Sequence, residues 1–195
     1  MNRGARLVAV SLVAAATVSG CWVARVEGPP QDDFSTWSNT PLPPSVELAS
    51  QAADPNGSCT AGPDGERVTV ILQDRRTEWT AAFIFRSATT FGSCIVTSGQ
   101  GSSGGSGPLP EPMRSALSID ANGFGSGLGG DLHELGGRVA ADVTAVTIAL
   151  ADGRTVTASV GGGHWLAWWP GDVGATTVSG LDADGHIVVE EEVPG

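Results

Sequence analysis

Two glycine-rich stretches fit the consensus of motifs that carry out catalysis or bind cofactors. Residues 101–105 (GSSGG) fit G-x-S-x-G, in which Ser103 would be the nucleophile of a hydrolase. Such a serine needs a tight strand-to-helix turn, and residues 106–110 (SGPLP) are poor helix formers. Residues 125–130 (GSGLGG) fit G-x-G-x-x-G, but no β-α-β pattern surrounds them. We therefore expect neither a nucleophile elbow nor a dinucleotide-binding loop.

Histidines and acidic residues offer no recognisable metal-ligand spacing. His133, His164 and His186 are scattered, and no Cys/His spacing typical of a zinc site is present. Residues 182–185 (DADG) match half of a calcium-binding loop but lack the third ligand and the distal glutamate. A hairpin turn explains them fully. The sequence predicts no metal site and no cofactor, and it does not single out a hydrolytic carboxylate pair among 21 acidic residues.

Three tryptophans in one short segment are the most distinctive aromatic feature. In residues 164–169 (HWLAWW), a strand would point Trp165 and Trp169 to one side and Trp168 and His164 to the other. Exposed tryptophans would form a stacking platform for a sugar or a protein, whereas buried ones would fill the core. Only one face of a strand in a single sheet is core. Either another layer covers the second face or these four residues offer a partner site.

The charge balance excludes one large class of function. Ten arginines and no lysine stand against 21 acidic residues, so the formal net charge is −11. Nucleic-acid binding needs a basic surface, and we do not expect it here. The absence of lysine and tyrosine also excludes Schiff-base chemistry and tyrosine acid–base chemistry.

Short alternating segments separated by glycine-rich turns predict an all-β domain, an antiparallel sandwich or barrel, over residues 66–195. No sustained helical period occurs. We expect strands in eight ranges and one additional strand at 114–120. The eight ranges are 66–73, 78–86, 91–97, 142–150, 155–160, 164–169, 176–181 and 186–191.

Three segments look irregular. Residues 99–112 predict a flexible loop or linker, because they are Gly/Ser-rich and then proline-rich. Residues 122–137 are glycine-rich, with one helical turn expected at 132–135. Residues 21–65 predict a proline-rich tether in which only 46–50 form a short ordered piece.

The N-terminus carries a specific resemblance. Arg3 and Arg6 precede an apolar run over residues 7–18, which ends in Val18-Ser19-Gly20-Cys21. This pattern resembles a bacterial lipoprotein signal peptide, although leucine is commoner than valine at the first lipobox position. The resemblance implies that residues 1–20 are removed and that Cys21 is lipidated, anchoring the protein to the membrane on its extracytoplasmic face.

Two other interpretations of the N-terminus remain open. The apolar run could continue to residue 24 as an uncleaved anchor, or residues 14–16 (AAA) could be an ordinary cleavage site. If Cys21 is lipidated, Cys59 and Cys94 form an even pair, for which an exported location permits a disulfide. Free thiols or a metal pair are the alternatives for these two cysteines.

The C-terminal part also has a resemblance. Residues 137–189 resemble a C-terminal module of uncharacterised exported or membrane-anchored actinobacterial proteins. The shared elements are the GRV…DVTAVT start, the DGRTV hairpin, AWWP and the DADG turn. The resemblance implies no activity and supports treating 137–195 as one β unit.

Together these observations predict an extracytoplasmic lipoprotein that acts as a binding or structural module of the cell envelope, with an envelope protein or a glycan as its partner. The alternative is a cell-envelope hydrolase with an unrecognised carboxylate site. Two acids close together in a deep pocket would favour that alternative.

Overall fold

A computed structural model describes residues 33–54, 59, 68–99, 101–127 and 130–194. Cys21 and the expected signal peptide lie outside these residues. Within the described ranges, no helix is long and apolar enough to cross a membrane.

Antiparallel strands dominate the described residues, as predicted. A 3₁₀ helix spans Asp33–Thr36 and one α-helix, α1, spans Val46–Ala52. The strands are β1 (Thr69–Arg75), β2 (Thr80–Arg86), β3 (Thr90–Thr97), β4 (Gly101–Pro108), β5 (Ala121–Gly127), β6 (Gly130–Arg138), β7 (Ala145–Leu150), β8 (Thr155–Thr157), β9 (Ser159–Gly161), β10 (His164–Pro170), β11 (Ala175–Leu181) and β12 (Ile187–Glu192). The all-β prediction is confirmed.

The strands form three four-stranded sheets. The N-terminal sheet has the order β1-β2-β3-β4, the central sheet β5-β6-β10-β9 and the C-terminal sheet β12-β11-β7-β8. One buried cluster joins β2 and β3 to β6 and β10, and a second joins β6 and β10 to β7, β8 and β11. The central sheet is therefore covered on both faces, and the fold is a sandwich of three layers.

Strand β10 has two apolar faces because it lies between two other layers. Leu166 and Trp168 pack against the N-terminal sheet. Trp165, Ala167 and Trp169 pack against the C-terminal sheet. The continuous apolar run of β10 is what a strand buried on both sides requires.

Two expectations about glycine-rich segments are wrong. Residues 101–108, which lie within the expected linker 99–112, form β4 and pair with β3 along its whole length. Residues 132–135, where a helical turn was expected, lie inside β6. Strand pairing uses backbone hydrogen bonds, so a neighbouring strand can hold a segment that has few side chains to signal it. Residues 114–120 contribute an isolated bridge at Leu117 and no strand.

The expected tether is also wrong from residue 33 onward, because this segment packs on the domain. The ring centroid of Phe34 lies 5.5 Å from that of Trp168, and Nε1 of Trp37 donates to the backbone oxygen of Trp168 at 3.2 Å. The short ordered piece expected at 46–50 is α1, which begins after its N-cap, Ser45. Its Leu48 joins the cluster on the outer face of the N-terminal sheet.

The disulfide prediction is confirmed. Cys59 and Cys94 are bonded, with their Cα atoms 5.6 Å apart. Cys94 lies on β3, and both cysteines are buried beside α1 in the same cluster. The bond fixes the segment that follows α1 to the outer face of the N-terminal sheet.

Candidate functional site

The tryptophans of β10 do not form an exposed patch. Trp165, Trp168 and Trp169 are all 0% exposed. Their ring nitrogens donate to the backbone oxygens of Ser118 (3.0 Å), Asp74 (3.1 Å) and Val173 (2.7 Å), respectively. The proposed partner patch is therefore wrong, because a third sheet covers the second face of the strand.

His164, the fourth residue of that expected patch, is half-buried. Its ring stacks on Phe91 with centroids 5.8 Å apart, and its Nδ1 lies 2.9 Å from the backbone oxygen of Gly162. His164 therefore packs against β3 of the N-terminal sheet and is not part of an exposed tryptophan surface.

An open cleft of about 470 Å³ lies elsewhere, between the β3–β4 edge of the N-terminal sheet and the β5–β6 edge of the central sheet. We call it the glycine cleft. Its lining residues are Phe91, Gly92, Ser93, Ile95, Gly104, Gly105, Ser106, Gly107, Asp120, Ala121, Asn122, Gly123, Phe124, Gly125, Leu132 and Glu134.

Strand register explains why the cleft is open. Gly105 and Gly107 on β4 are paired with Ser93 and Phe91 on β3. Directly opposed residues of an antiparallel pair share a face, and Phe91 belongs to the cluster between the N-terminal and central sheets. These two glycines therefore lie on the inner face of their sheet.

The wall on the central sheet has the same construction. Gly123 and Gly125 on β5 are paired with Glu134 and Leu132 on β6, and Leu132 belongs to the same inter-sheet cluster. Glycines on the inner faces of both edge strands leave the layers with no side chains to fill the space between them. The cleft follows from this alternation.

Packing does not require these inner glycines. A Cβ atom placed on Gly105 or Gly107 would meet no atom within 4 Å, and one on Gly123 would lie 3.7 Å from Cβ of Glu134. Gly104 points to the outer face instead, where its Cβ would lie 2.5 Å from Cβ of Cys94. Close packing accounts for Gly104, whereas Gly105 and Gly107 face open space and a Cβ on Gly123 would make only an ordinary contact.

Glu134 is the one buried acid that lines the cleft among the described residues. Its side chain is 6% exposed and hydrogen-bonds to that of Ser93. Its Oε1 atom has no hydrogen-bond partner in the described part of the chain. Burial raises the pKa of Glu134 to about 7, aided by the charge of Asp74 and opposed by the Ser93 hydrogen bond.

A second acid, Asp120, lines the cleft but is already paired. Arg138 donates to it twice, from Nε to Oδ2 at 2.7 Å and from Nη2 to Oδ1 at 3.1 Å. The Ser118 hydroxyl donates to Oδ2 at 2.9 Å. This hydrogen bonding raises the pKa of Arg138. The cleft thus holds one carboxyl whose pKa is raised by burial and one that is hydrogen-bonded to an arginine.

A buried ion pair beside the cleft has a structural role. Asp74 and Arg76 are 0% exposed, with Nε of Arg76 2.7 Å from Oδ2 of Asp74. Asp74 also accepts from the Ser159 hydroxyl and from the backbone of Trp168, while Arg76 donates to the backbone oxygen of Thr157. Burial raises the pKa of Asp74 and Arg76 opposes that shift. The pair links strands of all three sheets.

Among the described residues, one group of three potential metal ligands lies together, on the exposed β11–β12 hairpin. Oδ1 of Asp182 accepts hydrogen bonds from the backbone nitrogens of Asp184 and His186, both at 2.9 Å. These bonds lower the pKa of Asp182 and are those of a turn. The group is explained as a hairpin and supports no metal site.

The other histidine is also explained by packing. His133 stacks on Trp169 with ring centroids 5.6 Å apart, and the exposed Phe124 packs on His133 in a T-shaped pair with centroids 4.9 Å apart. The strand pairing of Phe124 with His133 places this stack on the face opposite Glu134. The three histidines therefore belong to three different environments.

Neither of the two formal glycine motifs has its catalytic context. Residues 101–105 lie within β4, and residues 125–130 run from β5 into β6. No helix follows either of them in the described residues.

Comparison with known protein families, with characterised proteins and with solved structures found no match. The functional assignment must therefore come from the chemistry of the site.

The sequence does not single out Glu134. It does single out the tryptophans, but as an exposed partner patch, whereas they are buried. Glu134 lies on the same face of β6 as Leu132 and Gly136, in a glycine-containing segment of mixed polarity (GDLHELGGR). An acid at an inward position of such a strand was an available signal. Its meaning depended on recognising residues 130–138 as a strand, which their glycines obscured.

Proposed function

We propose that this chain is an extracytoplasmic binding protein, anchored to a membrane through lipid on Cys21, and that its ligand site is the glycine cleft. The observation that carries the proposal is a buried carboxyl with an unpartnered oxygen, Glu134, in a cleft kept open by glycines on both walls. A volume of about 470 Å³ lies in the range of small-molecule sites, roughly 300–1,000 Å³. A perturbed pKa inside a cleft is a further mark of a functional site.

Export and anchoring rest on other residues. The support is the lipobox-like sequence Val18-Ser19-Gly20-Cys21 together with the Cys59–Cys94 disulfide, a bond typical of oxidising compartments. The described domain begins at Asp33, 12 residue steps after Cys21. At about 3.3–3.6 Å per residue, a lipidated Cys21 would hold the domain within roughly 40 Å of its anchor.

A hydrolase is the second candidate, because Glu134 and Asp120 both line the cleft. A carboxyl with a raised pKa beside an ionised one is the arrangement used by glycoside hydrolases. Here, however, Arg138 and Ser118 occupy both oxygens of Asp120. These bonds hold Asp120 in an ion pair, and no unpaired second carboxyl lines the cleft among the described residues. Binding is therefore the better-supported function.

Anchoring is tested by comparing the wild-type chain with Cys21→Ala after metabolic labelling with a fatty-acid analogue. We expect the wild type to be labelled and in the membrane fraction, and Cys21→Ala to be unlabelled. An unlabelled wild type in the soluble fraction would mean simple secretion. An unlabelled wild type in the membrane would mean an uncleaved helical anchor, and either result overturns lipidation.

Ligand binding is tested by screening a fragment library against the ¹⁵N-labelled protein and mapping amide shift changes. We expect changes centred on residues 91–95, 104–107 and 121–125. Gly105→Leu should abolish them, because its side chain would enter the empty space beside Glu134. Gly174→Leu is the matched control, since a Cβ there also meets no atom within 4 Å. The proposal is contradicted if neither this screen nor a titration with sugars finds a ligand in the cleft.

A further inference from the structure

We propose that the glycine cleft binds an uncharged sugar, whose hydroxyl or carbonyl oxygen pairs with the Glu134 carboxyl. This inference rests on the proposed binding function and specifies the ligand class of the same site.

The charges around the cleft argue against an ionic ligand of either sign. In a chain of net charge −11, an anion would find no arginine or histidine among the described lining residues, and the neighbouring Arg138 is already paired with Asp120. A cation would need a free carboxylate, but Asp120 is held by two hydrogen bonds from Arg138. Burial opposes ionisation of Glu134. Neither sign of charge finds an unoccupied partner.

The polar groups of the cleft instead suit a ligand with many neutral oxygens. The neutral form of Glu134 carries one O–H donor, and its Oε1 atom lacks a partner. A buried polar atom without a partner is destabilising, so a ligand oxygen that pairs with it gains affinity. Ser93, which lies on the inner face of β3, adds a short polar side chain to the lining.

Backbone groups extend this polar surface. β4 and β5 are the edge strands of their sheets, and each has one strand neighbour among the described residues. The outer edge of such a strand offers alternating N–H donors and C=O acceptors. Hydroxyl groups can use both kinds of partner.

The shape of the walls favours a sugar ring over an extended peptide. The inner-facing glycines Gly105, Gly107, Gly123 and Gly125 leave flat backbone surfaces, with the apolar side chain of Leu132 beside them. A sugar ring can lay its C–H face on such a surface while its hydroxyls reach the polar groups. A peptide adding to a strand edge needs pockets for alternate side chains, and this is one compact cleft of about 470 Å³.

The test is titration of the wild-type protein, by calorimetry and saturation-transfer NMR at pH 5.5, with neutral, cationic and anionic sugars. The neutral probes are glucose, N-acetylglucosamine, maltose and trehalose, and glucosamine and glucuronic acid are the charged counterparts. We expect at least one neutral sugar to bind at least about tenfold more tightly than its charged counterpart. Gly105→Leu should abolish binding, and Gly174→Leu should leave it unchanged.

Variants at Glu134 test the recognition itself. Glu134→Gln keeps a neutral side chain with donor and acceptor, so it should bind within about threefold of wild type, whereas Glu134→Ala should lose binding. If only the neutral carboxyl binds, affinity of the wild type should fall about 30-fold from pH 5.5 to pH 8.5. Affinity of Glu134→Gln should be flat over that range. The other charged or titratable groups near Glu134 remain in the variant: Asp120 in the lining, its partner Arg138, the buried Asp74, and His164 beside Phe91. A pH dependence present in the wild type and absent from Glu134→Gln therefore belongs to Glu134 and its coupling to Asp74.

Three results would overturn the inference: tighter binding of a charged sugar, equal loss of affinity in Glu134→Gln and Glu134→Ala, or no binding by any neutral sugar in the panel. If fragments still perturb the cleft in the amide-shift screen, the ligand class is wrong and the binding function survives. If neither experiment finds a ligand in the cleft, the binding function fails as well.

Discussion

Glu134 shows how burial sets the chemistry of one residue. Its carboxyl faces the space left by glycines, yet it is 6% exposed and its Oε1 atom is unpaired. A solvent-exposed glutamate at the same point of the sequence would be an ordinary anion. Here burial makes the neutral acid a major species at pH 7, and this property determines which ligands the cleft can accept.

Stability should depend on pH through Glu134. Its pKa is raised from 4.5 to about 7 in the folded state, so the folded protein binds more protons than the unfolded chain between these values. The free energy of unfolding should therefore fall as pH rises through this window, by about 3 kcal/mol from this residue. Glu134→Gln should lack that contribution.

Urea denaturation of both proteins at pH values from 4 to 8 measures the effect. Asp74, whose pKa is also raised, is present in both proteins, so the difference between them reports Glu134 together with its electrostatic coupling to Asp74. The stability of Glu134→Gln relative to wild type should increase with pH. Parallel curves would show that Glu134 titrates normally.

The Asp74–Arg76 pair gives a second prediction at this scale. Both groups are fully buried, so Arg76→Met would leave the Asp74 carboxylate without its cation and should cost about 3–5 kcal/mol. The double variant Asp74→Asn/Arg76→Met should recover a large part of this loss. Thermal and urea denaturation of Asp74→Asn, Arg76→Met and the double variant measure the coupling between the two residues. If the losses of unfolding free energy in the single variants simply add in the double variant, the two residues are not coupled and the prediction is wrong. Arg114→Ala, at an exposed ion pair, is a control expected to have little effect.

At the scale of elements, a strand could be predicted from the sequence only where its apolar side chains form a recognisable pattern. The apolar alternation of β2 and the apolar run of β10 marked them as strands in the sequence. β4 to β6 were not found, because segments such as GSSGGSGP carry almost no side-chain pattern. Their pairing is set by neighbouring strands. The cleft between them could therefore not be predicted from the sequence either.

Adjacent glycines of β4 should respond in opposite ways to the same substitution. A Cβ on Gly104 would lie 2.5 Å from Cβ of Cys94, whereas one on Gly105 would meet no atom within 4 Å. We expect Gly104→Ala to lower the free energy of unfolding by about 1–3 kcal/mol or more through overpacking. Gly105→Ala should change it by no more than about 0.5 kcal/mol. Equal effects, measured by urea denaturation, would mean that β4 does not present these faces.

At the scale of the whole molecule, the described residues form a stack of three sheets with α1 on an outer face. This stacking explains why the tryptophans of β10 are buried and do not form an exposed patch. The sequence correctly assigned opposite directions to Trp165 and Trp168. It did not reveal a third sheet, because the residues that cover the second face are distant in the chain. Layers of this kind are built by long-range contacts, which local periodicity does not report.

The extent of the folded body is testable at Trp37. Its ring packs against two buried clusters, donates to the backbone of Trp168 and lies 5.7 Å from the Arg76 guanidinium. Trp37→Ala should therefore cost about 3–5 kcal/mol in thermal or urea denaturation. Val46→Ala is a control at an exposed position (84%) and should be nearly neutral. If Trp37→Ala left the free energy of unfolding unchanged, residue 37 would belong to a tether, as the sequence predicts, and not to the folded domain.

The most direct test of the glycine cleft as a ligand site is a ¹³C NMR titration of the Glu134 side-chain carboxyl, assigned with Glu134→Gln. We expect a midpoint near pH 7, moving upward when a neutral sugar binds, because such a ligand stabilises the protonated form. A midpoint near 4.5, the ordinary value for glutamate, would show that the carboxyl is an exposed anion. A midpoint unmoved by a bound ligand would show that binding does not involve Glu134, and either result would contradict the site described for this protein.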